Sequence, residues 1–184
     1  MNDNLALEKK ILEQKRKDIL NEVEQKKRYQ EEIQKKLISV TKEAKGSYSQ
    51  EKENTEKIYM LLKKEIENYE EALKNPYFGR VDFDEKFGSQ EKIYIGKKGI
   101  TSTYDGEEIV VDWRAPVADL YYSGTGGEAY YKAPMGVVEG DLNLKRKFLY
   151  NEENLSKIFD EATNEIIING EEGEGLVDEF LKIN

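Results

Sequence analysis

Four glutamates, Glu43, Glu51, Glu53 and Glu56, flank the turn-type stretch Gly46-Ser47-Tyr48-Ser49-Gln50. Carboxylates gathered at one point can be delivered into a partner's cationic or Mg²⁺-containing site, since Mg²⁺ takes hard oxygen ligands. The plainer account is that they are solvated helix ends, where glutamate is favoured by the helix dipole. Asp82 with Asp84, and Glu107 with Glu108, are further acidic pairs that in principle could hold a metal or move a proton, and a structural or solvated role outweighs either. Histidine and cysteine are absent. That removes the usual general base, the commonest zinc ligand, thiolate chemistry and any disulfide framework together. Gly124-Thr125-Gly126-Gly127 lies between two tyrosine-rich runs, and Gly96-Lys97-Lys98-Gly99 lacks the GxxxxGK[ST] spacing, so both read as turns and not as nucleotide loops. No catalytic, cofactor-binding or metal-ligating residue is therefore assigned, and an independent hydrolase is the weakest reading.

The elements that would carry the glutamates are helices. From Leu5 to about Lys45 there is neither proline nor glycine, and Leu5, Leu12, Ile19, Lys26, Ile33 and Val40 recur every seven residues with Val23 and Leu37 offset by four. So narrow a stripe, interrupted by Lys26 and Gln30, suits a two-helix seam better than a globular core. A second helix follows the turn, with Ile58, Leu61, Leu62, Ile66, Tyr69 and Leu73 at three- and four-residue spacing, and Asn75-Pro76 ends it. Two helices joined by a short turn fold back on each other. Forty helical residues make an arm on the order of 60 Å long. Because the first helix outruns the second, its N-terminal end must pack elsewhere, on the part of the chain that follows.

After Pro76 the texture changes to short runs rich in β-branched and aromatic residues: 78–83, 92–95, 109–113, 118–122, 129–132, 136–139, 142–149, 155–159 and 166–168. Turn signals every 8 to 12 residues between them predict an antiparallel meander or a small open barrel, with Tyr121-Tyr122 facing Tyr130-Tyr131 across a hairpin. A short helix bearing Leu176, Val177, Phe180 and Leu181 is expected last, stopping in mid-pattern as a piece of a longer protein would. The fold expectation is α+β: a helical hairpin over residues 1–75 on a β-rich base over 76–184.

Charge narrows the partners. Residues 1–75 hold 17 Lys and Arg against 16 Asp and Glu, while the whole chain is at -9, so the base carries the acidity and is ill suited to a nucleic-acid backbone. A DNA-binding surface made of Lys9, Lys10, Lys15, Arg16, Lys17, Lys26, Lys27 and Arg28 is a rival reading, weakened by the acids interleaved with them. A coiled-coil dimerisation module is another. The intrachain hairpin instead predicts a monomer. No stretch approaches 18 apolar residues and none near Met1 resembles an export signal, which makes the cytoplasm the default location, with no membrane contact.

One set of blocks goes further. Asn75-Pro76-Tyr77-Phe78-Gly79-Arg80-Val81-Asp82-Phe83, then Glu91 to Gly96, then Val111-Asp112-Trp113-Arg114-Ala115-Pro116-Val117, then Leu120-Tyr121-Tyr122 and Leu144 to Lys147, behind a helical hairpin, resemble the N-terminal part of HelD. That family comprises UvrD-like superfamily 1 DNA helicases of Gram-positive bacteria that associate with RNA polymerase. The resemblance implies a parent motor, using ATP and Mg²⁺ outside this chain, that releases and recycles polymerase. It implies a hairpin that enters the polymerase secondary channel with its tip towards the active site, as Gre-type factors do, and a base lying beside the parent's own motor domains. It also marks Pro76, Tyr77, Phe78, Gly79, Arg80, Asp112, Trp113, Arg114 and Pro116 as signature positions. The Walker A loop of such a motor is not among these residues, so the parent's ATPase and any DNA contact made through it are not expected of this chain.

Overall fold

The computed structural model describes residues 3–162 and 165–170. Helix α1 (Asp3–Ala44) and helix α2 (Gln50–Ala72) form the antiparallel pair. Eight strands follow, β1 (Gly79–Glu85), β2 (Gln90–Gly96), β3 (Ile100–Thr101), β4 (Glu108–Asp112), β5 (Gly127–Ala133), β6 (Gly136–Asn151), β7 (Asn154–Ala162) and β8 (Glu165–Gly170). A 3-10 turn (Pro116–Ala118) runs into a short helix α3 (Asp119–Ser123) between β4 and β5. The fold is α+β, as the residue patterns indicated. The expected last helix around Leu176 to Leu181 lies outside the described residues.

The sheet runs β3-β4-β2-β1-β6-β7-β8, and β6 is its axis. Along one edge β6 pairs with β1; along the other it pairs first with β5, through residues 136–142, and then with β7, through residues 145–151. All these pairs are antiparallel, but β2 and β4 meet in parallel at Ile95↔Val111 and Gly96↔Asp112, so the sheet is not the simple meander expected. Nor do the expected runs 136–139 and 142–149 part at a turn, since they are one strand. Glu139-Gly140-Asp141 lies inside β6, where a Cβ on Gly140 would come within 2.8 Å of the Phe83 ring, so the glycine marks two strands in close approach.

A third expectation fails at residues 118–122. Pro116, with its fixed φ and no N–H to satisfy, opens the 3-10 turn, and the chain continues into α3 where a strand was expected. Tyr121 is buried beneath Gly79, Tyr122 is exposed against Trp113, and Tyr130-Tyr131 pair with Glu139 and Val138 of β6. No tyrosine hairpin forms. The loop 124–127 therefore joins a helix to a strand.

The alternation of β1 and β2 assigns each face of the sheet its own core. Val81, Phe83, Ile93 and Ile95 point to one face, with Leu120 and Tyr121 of α3 packed on them. Tyr94, Phe148 and Ile158 point to the other, where they meet Leu5, Leu12 and Ile19 of α1 and, further along, Ile66 and Tyr69 of α2. The first half of α1 thus lies on the sheet, and only the second half projects with α2. The free arm is shorter than the 23 residues of α2, about 34 Å at 1.5 Å per residue, and is not set by the full length of α1.

Within the arm the seam is Ile33 and Val40 against Thr55 and Leu62, with Leu37 half-buried. Ile58 and Leu61, expected in the seam, are exposed, because Thr55, Leu62, Ile66 and Tyr69 already hold the narrow contact face. Lys26, at its heptad position, reaches across to Glu65 at 3.1 Å and lies 5.0 Å above the Tyr69 ring. A charged residue is accommodated there because the seam is two helices wide and open to water at its margins.

Candidate functional site

At the tip, Lys45 and Gly46 adopt positive φ, and Ser49 caps α2 by accepting from the Lys52 N–H at 3.2 Å. Glu43 and Glu51 are exposed. Glu53 accepts from the Tyr48 hydroxyl at 2.9 Å and faces Lys57 at 3.5 Å, and Glu56 faces Lys52 at 4.0 Å. The tip brings the four glutamates into one region, but Lys42, Lys45, Lys52 and Lys57 equal them in number. The hydrogen bond from Tyr48, followed by Lys57, holds the Glu53 carboxyl below its ordinary range. Tyr48 itself stands well out in solvent. Among the described residues no group of three or more acidic side chains is placed to hold a metal ion.

At the root, α1 presents charged residues to the sheet at seven-residue intervals. Glu8 is fully buried and accepts from Arg80 Nη1 at 2.5 Å, Arg146 Nη1 at 2.6 Å and the Tyr94 hydroxyl at 3.0 Å. Arg80 is further clamped by both oxygens of Asp82 at 2.8 Å, and Arg146 by Asp160 at 2.6 and 2.8 Å. Burial opposes ionisation of both guanidiniums, yet the hydrogen bonds to Asp82, Asp160 and Glu8 overcome it and hold both pKa values up. Seven residues on, Lys15 donates to the Ile109 carbonyl at 2.7 Å and lies 4.5 Å above the Tyr94 ring, and burial lowers its pKa. Seven further, Glu22 accepts from the Thr103 N–H at 3.0 Å. Arg16 ties the corner where α2 ends, donating to the carbonyls of Leu73, Lys74 and Glu153.

With this geometry in view, the family model for the DNA helicase IV HelD N-terminal domain matches residues 5–174. The chain belongs to that family. It is, accordingly, a helicase-associated region. No curated protein matches the chain. Among the described residues no helix is long and apolar enough to cross a membrane.

The positions that the resemblance marks divide between the root and one surface turn. Pro76 and Tyr77 are buried where α2 gives way to β1, and the Tyr77 ring packs edge-on to Tyr94 at 4.7 Å and Phe148 at 5.1 Å. Phe78 bridges β2 and β6 through its backbone, donating to the Ile95 carbonyl and accepting from the Phe148 N–H. Gly79 lies under the Tyr121 ring, and Arg80 holds Glu8. The second block makes the turn after β4. Asp112 accepts from the Arg114 N–H at 2.9 Å and grips its guanidinium at 3.0 and 2.9 Å, which keeps the Asp112 carboxyl at about 2 despite partial burial. Trp113 is half-exposed and meets Tyr122 edge-on, and Pro116 starts the 3-10 turn. Neither glycine loop suits a nucleotide, since 96–99 joins two strands and 124–127 leads out of a helix instead of opening one.

Glu8, Glu22 and Asp160 are not marked in the sequence, and Tyr94 and Arg146 stand only inside the blocks 91–96 and 144–147 of the resemblance. A signal existed for the first two. Glu8, Lys15 and Glu22 each fall three residues after a stripe residue (Leu5, Leu12 and Ile19), where a helix-helix seam wants an apolar side chain. Charges repeating at that position indicate that this half of the helix faces something polar.

Proposed function

We propose that this chain is the RNA polymerase-binding N-terminal region of a HelD-like, ATP-dependent helicase that releases and recycles polymerase, with the α1–α2 arm inserting into the secondary channel. The observation that carries this reading is the shape and mounting of the arm. Two helices, about 20 Å across together, project beyond a root fixed by a buried ion network, so the tip is held at a defined distance and angle from the base. A ligand for a channel needs such rigidity, because a floppy arm loses entropy on entry. Glu43, Glu51 and Glu56, which are exposed, and the half-buried Glu53 are the tip residues proposed to face the partner's Mg²⁺ and basic side chains. The β-rich base is proposed to rest beside the parent's motor domains, where ATP and Mg²⁺ belong.

Pull-down of this chain by core RNA polymerase tests the reading. The intact chain is expected to be retained, and deletion of residues 46–56 is expected to abolish retention while the circular dichroism of the sheet persists. No retention of the intact chain, or undiminished retention after the deletion, overturns the proposal. The Glu51→Gln, Glu53→Gln, Glu56→Gln triple variant is expected to keep its fold and lose most of its effect on transcription.

A further inference from the structure

A cavity of about 530 Å³ opens between α1 and the loop that joins β3 to β4. Asp18, Glu22 and Glu24 line it from the helix, and Asp105, Glu107 and Glu108 from the loop and the start of β4. Among the described residues the cations on its wall are Lys15 and Arg28, and Lys15 is committed to the Ile109 carbonyl. Six carboxylates against two cations would by themselves be an ordinary acidic surface. The distinguishing group is Glu22, which is only 3% exposed. Its Oε1 accepts from the Thr103 N–H at 3.0 Å, with the Thr103 hydroxyl shared between it at 3.3 Å and Gln25 Oε1 at 2.9 Å, whereas its Oε2 is buried and has no hydrogen-bond partner. A buried carboxylate oxygen left without a donor costs stability that a donor brought by a ligand would recover.

We propose that this cavity binds an arginine side chain presented by a protein partner, with the guanidinium completing Glu22 and neutralising the carboxylates around it. Three features select this occupant. The excess of negative charge calls for a cation. The described carboxylates do not converge in the way a metal ion needs, and the cavity is far larger than one. A planar fork of five donors can satisfy carboxylates arriving from two different elements at once, which a single ammonium does less well. The site lies on the root and owes nothing to the hairpin tip, so it stands independently of the polymerase reading.

Titration of the whole chain with L-argininamide, followed by amide chemical shifts, is the test. Saturable shifts confined to residues 18–25 and 102–109 are expected, with L-lysinamide binding more weakly. Glu22→Gln keeps the bonds to Thr103 and is expected to weaken argininamide binding at least about tenfold, the effect of losing a charged hydrogen bond. Scattered, non-saturating shifts, equal binding of lysinamide, or unchanged affinity in Glu22→Gln overturns the proposal. Should Glu22→Gln fail to fold, the exposed Glu24→Gln and Glu108→Gln variants decide: each must weaken binding, and if neither does the proposal falls.

Discussion

Glu8 and Glu13 lie on the same helix, and both are ion-paired, yet their energetic weight differs by an order of magnitude. Glu13 meets Lys17 at 3.5 Å on an open surface, where such a pair contributes about 0.3–0.5 kcal/mol at most. Glu8 is sealed between two guanidiniums and a tyrosine hydroxyl. Removing its charge leaves Arg80 and Arg146 facing each other with one carboxylate apiece, out of reach of water. Glu8→Gln, which preserves shape, is therefore expected to lower the unfolding free energy by about 3 kcal/mol, as breaking a buried pair does. Glu13→Gln is expected to change it by less than about 0.5 kcal/mol. Urea denaturation with an unchanged slope distinguishes them, and equal effects would mean that Glu8 is not the keystone of the root. Arg80 drew attention through the Tyr-Phe-Gly-Arg block in which it stands. Glu8 and Asp160 were hidden, because a lone acid in a lysine- and glutamate-rich segment has no local mark of burial.

The arm was legible as an element because heptad spacing, the absence of breakers and the turn residues 46–50 all agree. Its boundaries came within a few residues of α1 and α2. What spacing could not reveal was that one helix serves two surfaces, pairing with α2 over its second half and with the sheet over its first. The β-rich part was legible strand by strand, and failed where tertiary context overrode local preference. Ala118 to Tyr122 has strand-like composition, but Pro116 starts a helical turn that buries Leu120 and Tyr121 under β1. Glu139-Gly140-Asp141 has turn-like composition, but β1 crosses there. The tip offers a clean element-scale experiment. Gly46 has φ +80 with nothing within 4 Å of an added Cβ, so Gly46→Ala perturbs the backbone alone. It is expected to destabilise the hairpin by about 1 kcal/mol, while Lys45→Gly, relieving a φ of 50, is expected to be neutral or stabilising. Hydrogen exchange of the last turn of α1 and the first of α2 reads both, and a harmless Gly46→Ala would mean that the turn is not held in this conformation.

At the scale of the molecule, the direction of the arm is set where three pieces of chain meet: α1, the end of α2, and the β6–β7 turn. Arg16 reaches across all three, with Nε donating to the Leu73 carbonyl at 2.8 Å and Nη2 to Lys74 and Glu153. The Asn75 amide, oriented to donate, reinforces the same corner through the Glu152 carbonyl at 3.0 Å. Glu8 fixes α1 to the sheet further back, so Arg16 acts on the angle of the hairpin and not on the attachment of the helix. Arg16→Ala should then leave helix content and the Glu8 network intact while letting the arm swing. The chain contains no cysteine, so Ser47→Cys at the tip and Ser89→Cys between β1 and β2 give a unique spin-label pair. The distance distribution between them is expected to be narrow in the parent sequence and clearly broader with Arg16→Ala. Retention by polymerase should fall in the same variant although every tip residue is unchanged, because a swinging arm must be ordered on entry. A distribution of unchanged width would show that the corner is held without Arg16. A broadened distribution with undiminished retention would show that the partner, and not the root, aims the arm.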